Sequence, residues 1–103
     1  METLKSIGID DVKKCAQTGL VVNIHGQGPA HGKDEGIKCI AIRADIDGLL
    51  MPENNQELAY RTTTDYAHMC GHDGHMVMLL SAAQVLQKHA AKIPKGKTVR
   101  LLF

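Results

Sequence analysis

The clearest structural signal in this chain is the stretch IKCIAIRADID, residues 37–47. Apolar residues alternate in it with small or polar ones, which is the two-residue period of a β-strand. The strand therefore ends in carboxylates on one side, and open α/β sheets place their ligand sites at the carboxyl ends of strands. One face of it carries Ile40, Ile42, Ala44 and Ile46, and the other carries Ala41, Arg43, Asp45 and Asp47.

A long helix is predicted further along the chain, from an N-cap at Asp73 to about Ala91. The segment 76–80 is apolar all round, and such a helix usually lies buried between a sheet and another layer. The apolar residues that recur at helical spacing are Met76, Leu79, Leu80, Ala83, Leu86 and Ala90.

Two further segments add strands to this helix. Residues 11–25 predict a pair of strands around a turn at Thr18 and Gly19, and residues 97–103 predict a final strand after a turn. Strands followed by one long buried helix and another strand indicate an α/β fold class.

The connecting segments are predicted as loops. Residues 26–36 contain glycines, but Gln27 and Asp34 stand where a phosphate-binding loop needs glycine and serine or threonine. We interpret that segment as a hairpin loop. Residues 48–67 are polar and aperiodic, which predicts a loop with a short strand around residues 58–61.

Length and composition exclude several classes of protein. The 103 residues form one domain at most, and a net charge of +1 provides no basic field for nucleic acid or an anionic membrane. No apolar run approaches the roughly 18 residues of a membrane span, and the first residues lack a signal peptide. The odd set Cys15, Cys39 and Cys70 favours reduced thiols, so we expect a cytoplasmic protein without nucleic-acid or membrane partners.

The stretch HMCGHDGH, residues 68–75, concentrates three histidines, a thiol and a carboxylate. Imidazole and thiolate are common ligands of zinc and related ions, so this density favours a metal site. His72 and His75 are also one helical turn apart. The alternatives are histidines that only bond to backbone or solvent, and a Cys70 thiol nucleophile with a neighbouring histidine as its base.

Asp45 and Asp47 add carboxylates on one face of the predicted strand. They are suited to bind a metal or to orient a ligand histidine through its second nitrogen. A surface pair answered by Arg43 is an equally good interpretation of the same spacing.

Four segments together resemble a known family. They are TGLVV at 18–22, RADID at 43–47, CGHDGH at 70–75 and LLSAA at 79–83. They are similar to the amidohydrolases of metallopeptidase ancestry, a group that includes aminoacylases, hippurate hydrolases and auxin-conjugate hydrolases. The resemblance extends from about Leu4 to Phe103, although Leu50, Pro52 and Met69 depart from the usual pattern.

The resemblance implies an α/β/α metallopeptidase-like catalytic domain with two divalent metal ions, zinc or manganese. Its substrates would be small N-acyl amino acids or small peptides, cleaved at the amide bond by metal-activated water. Cys70 and His72 are implied as metal ligands, and Asp47 as a supporting carboxylate near the metals. Two ligands make a weak site, so we expect loose metal binding unless His68 or His75 also ligates.

The resemblance also implies that residues 1–103 are a partial catalytic domain truncated at both ends. The general base glutamate and the lid or dimerisation domain of the family are not found in this sequence, and a homodimeric parent is compatible with it. We therefore expect the isolated chain to be inactive. The alternatives are a non-catalytic metal-binding or structural remnant and, ranked lower, a Cys70 thiol hydrolase.

Overall fold

The computed structural model describes residues 1–30, 32 and 36–103. In chain order the elements are α1 (Glu2–Ser6), β1 (Val12–Cys15), β2 (Gly19–His25), β3 (Cys39–Arg43), β4 (Leu49–Leu50), β5 (Tyr66–Ala67), α2 (His72–Lys88), a short 3₁₀ helix (Ala90–Lys92) and β6 (Thr98–Leu102).

The main sheet has four strands in the order β1-β2-β6-β3. β1 pairs antiparallel with β2, and β2 pairs antiparallel with β6, whereas β3 runs parallel to β6. The sheet is therefore mixed, and α2 belongs to the connection that leads from β3 to its parallel neighbour β6. This arrangement confirms the α/β fold class.

The strand pair predicted in residues 11–25 is present, but the hairpin loop predicted for residues 26–36 is wrong. β6 lies between β2 and β3, so these two strands do not pair. Local alternation of apolar residues identifies strands without fixing their order in the sheet. Four residues of that segment, His31, Lys33, Asp34 and Glu35, lie outside the described residues.

Gly26 shows how closely the chain passes the segment before β6. A Cβ added to Gly26 would lie 2.1 Å from the carbonyl oxygen of Pro94. The backbone N–H of Gly26 also donates to the carbonyl of Lys97 at 2.9 Å. Only glycine fits this contact, which fixes the end of β2 against the turn that precedes β6.

The core lies between α2 and one face of the sheet. Leu79 and Ala83 of α2 are buried. Val77, Met78 and Val85, on the other side of the helix, are 59–63% exposed, so the burial of α2 is one-sided in this chain. The core contains Leu4, Ile9, Val22, Ile24, Ala44, Leu79, Ala83, Ala90 and Leu101.

The start of α2 differs from the prediction that Asp73 is its N-cap. The helix begins at His72 after Gly71, which has φ 81° in the left-handed region, and no side chain caps it. Asp73 instead lies in the first turn, where a carboxylate interacts favourably with the helix dipole.

Residues 48–67 form a loop closed by a small second sheet. β4 pairs antiparallel with β5, so that Leu49 lies opposite Ala67. The short strand predicted around residues 58–61 is wrong, because the backbone turns there and the N–H of Arg61 donates to the carbonyl of Leu58. Within the described part of the chain, no helix combines the length and apolarity that a membrane span needs.

Candidate metal centre

The candidate site lies where β3 ends and α2 begins. After β3, the N–H of Ala44 still donates to the carbonyl of Leu102 in β6, at 2.9 Å. The pairing of β4 with β5 then returns the chain to its starting point after an excursion of 16 residues, 50–65. The histidine-rich stretch 68–75 therefore emerges beside Asp45 and Asp47, although it is more than twenty residues away in sequence.

Asp47 and His72 form the central contact of the site. Oδ1 of Asp47 lies 2.7 Å from Nδ1 of His72. The His72 side chain is 18% exposed, whereas that of Asp47 is 64% exposed. The hydrogen bond from His72 is the main reason why the pKa of the Asp47 carboxyl lies below its ordinary value.

This contact determines which nitrogen of His72 is available. An ionised carboxylate only accepts hydrogen bonds, so Nδ1 of His72 must carry the proton that is shared with Asp47. Nε2 then has a free lone pair. Metal-binding histidines in proteins almost always donate their other N–H to a carboxylate, carbonyl or water in this way.

His75 and Asp45 lie beside the same histidine. The rings of His72 and His75 stack with centroids 5.4 Å apart and an interplanar angle of 26°, as expected for residues one helical turn apart. One potential ligand atom from each of Asp45, His72 and His75 lies within 4.8 Å of the other two. Asp45 also forms an ion pair with Arg43 through Oδ1.

The residues predicted from the sequence are thus only partly brought together. Asp47 contacts His72, as an orienting carboxylate would. Cys70 is exposed and lies outside the group of potential ligands found among the described residues. Asp45 and His75, to which the sequence interpretation assigned no ligand role, are inside it. The spacing of two between Asp45 and Asp47 and of three between His72 and His75 was the available signal.

Two open cavities flank these residues. One, of about 610 Å³, is lined by Asp45, Asp47 and His72 together with the ends of β3 and β6. The other, of about 540 Å³, is lined by His68, Asp73, Arg61 and residues of the loop 48–67. Both volumes lie in the range of small-molecule sites in proteins.

The donors fit a divalent ion of the zinc or manganese type. His72 offers a lone pair on Nε2, and carboxylates and a thiol lie within a few residues of it. Imidazole and carboxylate suit both metals, while a thiolate favours zinc. His72, oriented by Asp47, is the residue whose hydrogen bonding most closely matches that of a metal ligand.

Comparison with known proteins gives sequence relatives over nearly the whole chain. An N-acyl-L-amino acid amidohydrolase of Geobacillus stearothermophilus is 33% identical over 102 residues, which are 99% of this chain and 25% of that protein. A protein of Rhodococcus jostii named as a glutamate–cysteine ligase 2-3 is 36% identical over 100 residues. That match covers 97% of this chain but only 11% of the Rhodococcus protein, so its name carries no argument about the matched segment.

A solved structure and a family model agree with the first relative. The crystal structure of Bacillus subtilis YxeP, described as a dinuclear metal binding peptidase from the M20 family, superimposes with a TM-score of 0.77 at 30% identity. It is matched over 99% of this chain and 26% of its own length, so the chain spans about a quarter of the proteins to which it is similar. The model of peptidase family M20/M25/M40 matches residues 41–103, more than half of the chain. The chain therefore belongs to peptidase family M20/M25/M40.

Proposed function

We propose that residues 1–103 are part of the catalytic domain of a metal-dependent amidohydrolase that cleaves the amide bond of N-acyl amino acids. The observation that carries the proposal is the 2.7 Å hydrogen bond between Asp47 and His72, formed inside the segment that matches the family. The amidohydrolase of Geobacillus stearothermophilus, whose name gives that substrate class, supports the choice of substrate.

In this proposal Cys70 and His72 are metal ligands and Asp47 is a positioning residue. Asp47 holds the proton on Nδ1 of His72 and so keeps the lone pair of Nε2 directed at the ion. A bound zinc or manganese ion would supply polarisation of the amide carbonyl and activation of the attacking water. A dinuclear centre follows the description of the similar Bacillus subtilis structure.

The cavities beside His72 give the substrate a place to bind. The cavity of about 610 Å³ that contains Asp45, Asp47 and His72 is large enough for a small acyl amino acid. Hydrolysis adds the oxygen of water to the amide carbonyl, breaks the C–N bond and transfers a proton to the leaving amine. The proposal assigns the general base to none of the described residues, so the 103-residue protein is expected to be inactive alone.

A chimeric enzyme tests this proposal. These 103 residues would replace the matching quarter of the Geobacillus amidohydrolase, and hydrolysis of an N-acetyl amino acid would be measured with and without a chelator. We expect chelator-sensitive hydrolysis that is lost in Cys70→Ala and in His72→Ala. Cys15→Ala, which removes another exposed thiol, is the matched control.

Two outcomes would reject the proposed roles. A folded chimera that hydrolyses the substrate equally well after exhaustive chelation would exclude the metal mechanism. A chimera that keeps full activity in Cys70→Ala but loses it in His72→Ala would remove Cys70 from the ligand set. Circular dichroism of each variant separates these outcomes from misfolding.

A further inference from the structure

The donors around His72 include a set that differs from the ligands proposed above. Asp45, His72 and His75 present ligand atoms that all lie within 4.8 Å of one another, and Cys70 is not among them. We propose that Asp45 and His75 complete a divalent metal site around Nε2 of His72, which this 103-residue protein can use without Cys70. The inference rests on the proposed function only in taking His72 as a ligand.

The geometry needs a modest closure to hold an ion. Metal–nitrogen bonds of 2.0–2.1 Å in a tetrahedral site place ligand atoms about 3.3 Å apart. Atoms now within 4.8 Å would therefore move together by about 1.5 Å. His75 is exposed on the first turns of α2, so rotation of its side chain meets little resistance.

The partners of each donor leave the required lone pairs available. Nδ1 of His72 is bonded to Asp47, which leaves Nε2 for the ion. Oδ1 of Asp45 is the atom paired with Arg43, which leaves Oδ2. The Asp45 side chain is 34% exposed, so an ion can reach it from solvent.

The chemistry of this set selects among metals. Two imidazoles and one carboxylate are typical ligands of zinc and similar transition metals, as in catalytic zinc sites with three protein ligands. Magnesium and calcium prefer an all-oxygen shell with more ligands. We therefore expect zinc and cobalt to bind at one ion per chain, and magnesium to compete poorly.

Calorimetric titration of the 103-residue protein with zinc tests the site directly. His75→Gln and Asp45→Asn should each weaken binding by at least about tenfold, because even partners that only orient a ligand contribute that much. His89→Gln removes an exposed histidine just beyond the other end of α2 and should bind zinc like the parent chain. Cys70→Ser should also bind like the parent chain.

Cobalt substitution separates this inference from the proposed role of Cys70. A site of nitrogen and oxygen ligands gives only the visible bands of the metal, whereas a thiolate ligand adds an intense near-ultraviolet charge-transfer band. We expect no such band. A band that disappears in Cys70→Ser, together with parent-like zinc binding by His75→Gln, would overturn the inference and leave the proposed function intact.

A measurement on the unmodified chain guards against variants that misfold. Nuclear magnetic resonance of the histidine ring nitrogens during zinc addition should show large shifts for Nε2 of His72 and for one nitrogen of His75. Unchanged ring nitrogens of His75 at saturation with zinc would overturn the inference without any substitution.

Discussion

Two histidine–aspartate pairs in this chain differ in what each leaves unbonded. His25 uses both ring nitrogens, since Nε2 lies 3.0 Å from Oδ2 of Asp11 and Nδ1 lies 3.2 Å from the hydroxyl of Thr98. His72 uses Nδ1 for Asp47, and among the described residues no hydrogen bond occupies its Nε2. The first pair is saturated by its own sheet, whereas the second keeps a ligand atom available.

The surroundings of the two aspartates extend this difference. Oδ2 of Asp11 also accepts a hydrogen bond from the amide nitrogen of Asn23, whose oxygen accepts one from Nε of Arg100. This network crosses β2 and β6 and reaches the residue before β1. A fully bonded histidine of this kind stabilises a sheet, while a half-bonded one beside other donors is a candidate metal ligand.

The largest effect should come from removing the ring of each histidine in turn. His72→Ala should abolish measurable zinc binding, because both proposed ligand sets need Nε2 of His72. His25→Ala should leave zinc affinity unchanged and lower the melting temperature, because it removes two bonds between neighbouring segments of the sheet. Zinc titration and thermal unfolding of both variants check the pair of outcomes. Loss of zinc binding in His25→Ala would contradict the distinction between the two pairs.

Exchanging each carboxylate for an amide should have a smaller effect on metal binding. Asp47→Asn should weaken zinc binding about 10–100-fold, since the amide holds the His72 tautomer less firmly. Asp11→Asn is the matched control in the other pair and should bind zinc like the parent chain. The same titration measures both variants, and equal affinities would show that Asp47 does not orient His72.

The acid limb of stability should depend on Asp11. Hydrogen bonds, first from His25 and then from Asn23, lower the pKa of Asp11 below its ordinary value of 3.8. The folded protein therefore binds this proton less readily than the unfolded chain, so stability is lost as pH falls from about 3.8 through the lowered pKa. Thermal melts of the metal-free protein across this range should fall less steeply for Asp11→Asn. An unchanged slope would mean that the network does not contribute at low pH.

The sequence predicted the parts of the fold that depend on local patterns. The strands around residues 11–25 and the long helix follow from the spacing of apolar residues, which neighbours along the chain determine. The insertion of β6 between β2 and β3 was not predictable in this way, because it depends on pairing between segments more than seventy residues apart, such as Val22 with Leu101.

The site divides in the same manner. The sequence identified Asp47 and His72 separately, but their contact depends on the pairing of Leu49 with Ala67 in strands of two residues each. Strands that short have no readable period. His75 was recognised as part of the motif, yet its grouping with Asp45 required the same long-range closure.

The smallest predicted effect concerns two glycines that flank His72. Gly71 has φ 81°, so Gly71→Ala should lower the free energy of unfolding by about 1–2 kcal/mol through backbone strain, with no neighbour within 4 Å of the new Cβ. Gly74 lies inside α2 with equally open space, so Gly74→Ala should raise it by about 0.5–1 kcal/mol. Urea unfolding of the metal-free protein measures both. Opposite signs would place the first turn of α2, and with it Nε2 of His72, under the control of the left-handed residue before it, whereas two stabilising substitutions would exclude that control.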